Sequence, residues 1–123
     1  MELIYKEEVY KIIGLCMEVH NNLGKGFNEI VYKDALEFEF NSNNIPFERE
    51  KGFDINYKNF KLPRKYYADF VIYNKIILET KAIENLTTGN LKQALNYLAV
   101  SKLKLGLLVN FGKDSLEYKR VIL

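Results

Sequence analysis

The feature that most constrains the fold of this chain is an apolar segment in two parts, each of which carries charge. Residues 67–73 read Tyr-Ala-Asp-Phe-Val-Ile-Tyr, and residues 76–81 read Ile-Ile-Leu-Glu-Thr-Lys. Two short apolar runs separated by a polar turn predict a β-hairpin. Buried strands rarely carry acids unless a metal, a partner or a reaction needs them. Asp69 and Glu79 are therefore the first candidates for a functional site.

The chemistry of these residues indicates metal-dependent hydrolysis of a phosphodiester. Two carboxylates that lie close together repel each other and favour a divalent cation between them. Lys81 lies two residues after Glu79 and so points to the same side of the strand. A lysine in that place can orient the attacking water or neutralise developing charge.

The register of the hairpin decides whether this site can form. With a plain two-residue turn, Asp69 would pair with Thr80 and face away from Glu79. An odd number of loop residues, or a bulge, would place Asp69 opposite Glu79. We therefore predict that Asp69, Glu79 and Lys81 share one face of the sheet.

Composition limits the class of protein. A length of 123 residues predicts a single domain over residues 1–123, large enough to bury a core. The net charge of +2 is small, so a basic surface for a phosphate ligand must be local. The single cysteine, Cys16, agrees with a reducing compartment, and no apolar stretch approaches the length of a membrane span. We expect a cytoplasmic protein without a membrane partner.

Periodicity predicts a mixed α/β fold in the order ααβββαββ. The predicted elements are helices over about 6–22 and 27–42, an edge-like strand over 47–57 bent at Gly52, strands over 66–73 and 76–82, a helix over 89–101 capped by Thr87 or Thr88, and strands over 105–111 and 117–122. Four basic residues lie in the connection before the Asp69 strand, where they either contact phosphates or form a solvated loop: Lys58, Lys61, Arg64 and Lys65.

Several motifs in order along the chain resemble a known superfamily. Asp69, the Glu-x-Lys at 79–81 and a helix bearing Gln93-Ala94-Leu95-Asn96-Tyr97 resemble the PD-(D/E)xK nucleases, in the RecB-like branch with a Gln-x-x-x-Tyr motif. The run Gly26-Phe27-Asn28-Glu29-Ile30-Val31-Tyr32 resembles the signature of the small bacterial GxxExxY family. Ala68 stands where the superfamily's name has a proline.

The resemblance implies a restriction-endonuclease-like core, with a central mixed sheet flanked by helices, and a nuclease that depends on Mg²⁺ or Mn²⁺. Its substrate would be nucleic acid, with DNA expected before RNA, and a homodimer or a partner protein would enlarge the binding surface. Lys81 would assist the attacking water, while Gln93 and Tyr97 would line the cleft. The implied metal ligands are oxygen atoms of four residues: Asp69, Glu79, Glu29 and, through its carbonyl, Thr80.

Other interpretations of the same residues stay open. Glu29 near the start of a helix also favours the positive helix end, and Tyr32 is either core or wall of the site. His20 is either a polar group at a helix end or a neighbour of Glu29. For the whole chain, the competing hypothesis is an inactive nucleic-acid-binding or protein-interaction module that keeps the nuclease fold. Lys81 paired with both acids in a dry site would favour that module.

Overall fold

The computed structural model describes residues 3–123 and shows a five-stranded mixed sheet with helices on both faces. The mixed α/β class and the order ααβββαββ are confirmed. The elements are α1 (Lys6–Leu23), α2 (Glu29–Ser42), β1 (Phe47–Tyr57), β2 (Phe60–Ile72), β3 (Ile76–Lys81), α3 (Thr88–Ser101), β4 (Leu105–Asn110) and β5 (Glu117–Ile122). Within residues 3–123 no helix has the length and apolarity needed to cross a membrane.

The strands lie in the order β1-β2-β3-β4-β5. All neighbours pair antiparallel except β3 and β4, which are parallel and are joined through α3. This crossover carries the chain from the end of the Glu-x-Lys strand over one face of the sheet. The N-cap of this helix is Thr87, whose side chain and that of Asn90 form a reciprocal capping box.

The core has two parts, one on each face of the sheet. Helices α1 and α2 cover the first face and pack against alternate residues of the central strands, including Phe70 and Leu78. Helix α3 covers the second face and packs against the residues between them, including Val71 and Ile77. The period-two alternation of the hairpin therefore places both of its faces in apolar surroundings.

The strand that bears Asp69 is longer than the sequence predicts. β2 begins at Phe60 instead of residue 66, and Lys58 and Asn59 form a tight turn in which both residues have positive φ, of 50° and 66°. Lys61, Arg64 and Lys65 consequently lie on β2 and not in a loop. Sequence reasoning predicted this strand from residue 66 and missed residues 60–65, because Pro63 and the basic residues are typical of loops.

Candidate active site

The connection between β2 and β3 has the register that a carboxylate pair requires. Three residues, 73–75, separate the strands, and the ladder pairs Phe70 with Leu78 at its open end. One step further along the same register, Asp69 lies opposite Glu79. The ladder itself stops before that step, so the two strands separate at the two acids.

The carboxylate of Asp69 fills the opening between the strands. Its Oδ2 accepts hydrogen bonds from the Thr80 backbone amide at 2.8 Å and from the Thr80 hydroxyl at 3.1 Å. Its Oδ1 accepts a hydrogen bond from the Lys33 ammonium group at 3.1 Å. The side chain thus takes the place of the interrupted ladder and ties β2 to both β3 and α2.

An irregularity in β1 and β2 turns Asp69 toward α2. Before this residue, Tyr66 and Ala68 pack on the α3 face, whereas after it Phe70 packs on the α1 and α2 face. On β1 the ladder skips Glu50, which has a φ of 55°. The ladder has the same register before and after Glu50, so this break is a kink at the facing pair of Glu50 and Asp69, with no inserted residue, and the strands turn over at it. Asp69 and Glu50 both reach the same lysine on α2 as a result.

Glu79 is buried on the other side of the opening, at 7% exposure. The hydroxyl of Tyr66 donates a hydrogen bond to it, and the Tyr66 ring stacks on Tyr97 with centroids 3.9 Å apart. Burial, and then the charge of neighbouring Asp69, raise the pKa of Glu79 to about 8, although the Tyr66 hydrogen bond and Lys81 act in the opposite direction.

The prediction that Asp69 and Glu79 share one face of the sheet differs from the structure, in which their hydrogen bonds are directed toward opposite faces. Asp69 bonds toward α2 and Glu79 bonds toward α3, and they meet in the opening between β2 and β3. Asp69 raises the pKa of Glu79 through its charge and through a side-chain hydrogen bond, which agrees with their close approach. The odd register and the kink at Glu50 and Asp69 act together to produce this pair.

Glu29 and Lys81 lie at the border of the carboxylate pair. Glu29 is the first residue of α2, and partial burial of its carboxyl raises its pKa, while the nearby Lys81 lowers it. Lys81 is half-buried at the end of β3. The charge of Lys81 also lowers the pKa of Glu79, so this lysine is a neighbour of both glutamates.

The two residues of the Gln-x-x-x-Tyr motif differ in their surroundings. Tyr97 contacts the site: burial raises the pKa of its hydroxyl, and the charges of Glu79 and Asp69 raise it further. Gln93 is exposed one turn earlier on α3, and its side chain makes no hydrogen bond to any residue in the range 3–123. The structure brings Tyr97 to the acids and leaves Gln93 at the surface.

Lys33 is a site residue that sequence reasoning missed. Its side chain is 10% exposed and pairs with both Glu50 and Asp69. Burial lowers the pKa of Lys33, but the hydrogen bonds to Glu50 and Asp69 outweigh that effect and the net shift is upward. The available signal was its position four residues after Glu29, on the same face of α2.

The structure distinguishes between the interpretations left open for Tyr32 and His20. Tyr32 is fully buried, stacks on Phe111 at 4.5 Å and donates a hydrogen bond to the Gly24 carbonyl at 2.6 Å. His20 hydrogen-bonds through Nε2 to the Lys113 carbonyl at 2.8 Å. Both side chains fasten loops to the core, and neither contacts the carboxylate pair.

Asn110 fixes the loop that follows the Glu-x-Lys strand. Its Oδ1 accepts hydrogen bonds from the amides of Ile83 and Gly112, both at 3.0 Å, and its Nδ2 donates to the Ile83 carbonyl at 2.9 Å and to Glu117 at 3.1 Å. Gly112 lies so close that a Cβ atom there would be 2.2 Å from the Ile83 carbonyl oxygen. The end of β3 is therefore held tightly against β4 and β5.

The comparisons with known proteins agree with this geometry. A model of the PD-(D/E)XK nuclease superfamily matches residues 6–121. The chain belongs to the PD-(D/E)XK nuclease superfamily. None of the curated proteins matches it significantly.

Among solved structures, the crystal structure of SSO0001 has a TM-score of 0.59 against this superfamily member, at 24% sequence identity. The match covers 76% of this chain and 50% of that one. The chain thus spans about half the length of that protein, and the likeness supports the shared fold.

The donor set suits the divalent metals that PD-(D/E)XK nucleases use. Asp69 and Glu79 supply carboxylate oxygens, which Mg²⁺ and Mn²⁺ prefer. A carboxylate has about four acceptor positions, and three of those on Asp69 are taken by Lys33 and Thr80. Within residues 3–123 no three Asp, Glu, His or Cys side chains are close enough together to form a metal cage. The two acids fit an ion, and Glu29 lies at their border.

Proposed function

We propose that this chain is a metal-dependent nuclease that hydrolyses phosphodiester bonds in DNA, with RNA as the alternative substrate. The observation that carries the proposal is the pair of Asp69 and Glu79 at the point where β2 and β3 separate, with Lys81 beside Glu79. Membership of the PD-(D/E)XK superfamily supports the class of reaction. The similarity of residues 26–32 to the GxxExxY signature supports a narrower placement in that family.

Asp69, Glu79 and the carbonyl oxygen of Thr80 would hold Mg²⁺ or Mn²⁺, and Glu29 would complete the ligand set. When bound, such an ion lowers the pKa of a water molecule and stabilises charge on the phosphate. The raised pKa of Glu79 supports this assignment, because a buried acid beside another acid gains most from a nearby cation.

The remaining residues would hold the substrate and the acids in place. Lys81 would orient the attacking water and neutralise charge that develops on the phosphate. Tyr66 fixes the rotamer of Glu79 through its hydrogen bond, and Lys33 fixes that of Asp69. Gln93 and Tyr97 would contact the nucleic acid beside the site.

The decisive test is cleavage of labelled single- and double-stranded DNA and RNA by the purified protein, with Mg²⁺, with Mn²⁺ and with EDTA. We expect cleavage that requires the metal and falls at least about a hundredfold in Asp69→Asn and in Lys81→Ala. Lys104→Ala, an exposed lysine before β4, is the matched control and should cleave normally. Cleavage that persists in both site variants would contradict the proposal.

One contact favours the competing hypothesis, in which the chain is a binding module that does not cleave its ligand. Lys33 pairs with Asp69 in a largely buried site. A lysine paired with the acids in this way is the arrangement expected of an inactive binding module, although it was expected of Lys81. Titration of the wild type with Mg²⁺ and Mn²⁺ by calorimetry separates the two functions. Absence of metal binding together with absence of cleavage would favour the module, and sedimentation would show whether it acts as a homodimer.

A further inference from the structure

The two strands that lead away from the site form a surface of their own. We define the β1–β2 ribbon as residues 51–68, because β2 pairs with β3 only from Phe70 onward. We propose that the open face of this ribbon binds a single-stranded segment of nucleic acid and leads it to Asp69. This inference rests on the proposed nuclease function and adds the strandedness and path of its substrate.

Only one face of the β1–β2 ribbon is covered. Phe53, Ile55 and Tyr66 pack against the core under α3. The core under α1 and α2 includes no residue between Phe47 and Phe70. The face on the α2 side is therefore uncovered along the ribbon, and the turn of Asp69 toward α2 places its carboxylate at the end of that face.

The ribbon concentrates the positive charge of the chain. Residues 51–68 contain five basic residues and one acid, whereas the remaining residues contain 13 Lys and Arg against 15 Asp and Glu, a net charge of −2. Lys61 and Lys65 lie 3.3 Å and 3.6 Å from Asp54, which draws both ammonium groups to one side of the ribbon. Each still has donors for a phosphate, since an ammonium group has three.

Tyr67 supplies a stacking surface next to these lysines. It lies opposite Gly52 and is 57% exposed. A Cβ atom at Gly52 would lie 3.0 Å from Cε1 of Tyr67, so the ring rests against the glycine backbone. A ring supported on one side and exposed to solvent can stack with a base, and that requires a base free of its partner strand.

The spacing along β2 gives the path a direction. At about 3.4 Å per residue, Tyr67 lies about 7 Å and Lys65 about 14 Å from Asp69, and alternation places all three on the same side. Two more aromatic side chains, Tyr57 and Phe60, are 60% and 64% exposed at the tip of the ribbon. Phosphate-binding and base-stacking groups thus follow one another toward the carboxylate pair.

The test measures binding without cleavage. Fluorescence anisotropy in EDTA, with a labelled single-stranded 20-mer and the matching duplex, compares the wild type with Tyr67→Ala and with Lys61→Gln/Lys65→Gln. We expect tighter binding of the single strand, a loss of about fivefold or more in Tyr67→Ala, and a salt slope that falls by about 1.4 in the lysine variant. Tyr67→Phe keeps the ring and should bind like the wild type.

Matched controls separate the ribbon from general charge and from folding. Lys104→Gln/Lys119→Gln removes two exposed lysines before β4 and on β5, and should keep the wild-type salt slope. Any one of four results would overturn the inference: equal losses in both double-lysine variants, normal binding by Tyr67→Ala, preference for the duplex, or no binding at all. If the protein cleaves nucleic acid and the ribbon variants bind it normally, only the inference about the ribbon is refuted. If binding depends on the ribbon and no cleavage occurs, only the proposed nuclease function is refuted.

Discussion

The ammonium group of Lys33 lies 3.1 Å from Oδ1 of Asp69, so this acid of the candidate site is paired with a cation from α2. Glu50, at the kink in β1, contacts the same ammonium group. Lys33 therefore joins three elements at one edge of the carboxylate pair. Its positive charge is shared between the carboxylates of Asp69 and Glu50.

We predict that Lys33→Met destabilises the metal-free protein and strengthens metal binding. Loss of the ammonium group leaves Asp69 and Glu50 without their shared partner, which should lower the free energy of unfolding by about 1–3 kcal/mol. It also removes a positive charge that competes with Mg²⁺ for Asp69. Urea unfolding and calorimetric titration with Mg²⁺ measure the two effects.

Lys25→Met is the matched control for that experiment. Lys25 pairs with Asp114 at 2.8 Å, but both side chains are largely exposed, and ion pairs of that kind contribute little to stability. Equal stability of the wild type and Lys33→Met would contradict the bridging role of Lys33.

We predict that the stability of the metal-free protein falls as the pH rises from about 4.5 to about 8. The pKa of Glu79 is raised from its ordinary value of 4.5 to about 8, so the folded state binds this proton more tightly than the unfolded state does. That advantage is complete below pH 4.5 and is lost as the pH passes the folded-state value. Glu79→Gln should flatten this part of the profile, as measured by urea unfolding at successive pH values. A wild-type profile that rises between these values would be inconsistent with a protonated Glu79.

We predict that Tyr66→Phe raises the pKa of Glu79 further. The hydroxyl of Tyr66 donates a hydrogen bond that favours the ionised carboxylate, while the ring keeps its stack on Tyr97 in the variant. The pH midpoint of the stability profile should move upward, and the protein should lose about 1–3 kcal/mol above that midpoint. Tyr97→Phe retains the hydrogen bond and should keep the wild-type midpoint. A downward shift in Tyr66→Phe would refute this account.

We predict that Gly112→Ala destabilises the protein by at least about 1–3 kcal/mol. Its methyl group would lie 2.2 Å from the carbonyl oxygen of Ile83 and 2.5 Å from the Ile83 amide nitrogen, both backbone atoms that Asn110 holds in place. Gly14→Ala provides the comparison, because a methyl group in that part of α1 meets no atom within 4 Å. It should stabilise the protein by about 1 kcal/mol, and thermal unfolding of both variants measures the difference.

Secondary structure was predicted most accurately from the sequence where burial alone determines the pattern of side chains. The continuous apolar runs around Ile72 and Ile77 reflect burial on both faces of the sheet, so the hairpin followed from the residues. The sequence could not show that Glu50 has positive φ, because no glycine marks that kink. The contacts of Lys33 depend on the kink and were missed with it. Pro63 lies where the β1–β2 ladder shifts register, so β2 continues past a residue that is typical of loops.

The hydrogen bonds of Asn110 restrict the motion of the segment that follows β3. They bind the segment after Lys81 to two neighbouring strands, so β3, which forms one side of the site, is held in a fixed position. The side formed by α2 and β1 rests on the paired charges of Lys33 instead. Any adjustment that admits a substrate should therefore fall on α2 and the kink at Glu50, while Glu79 and Lys81 keep their positions.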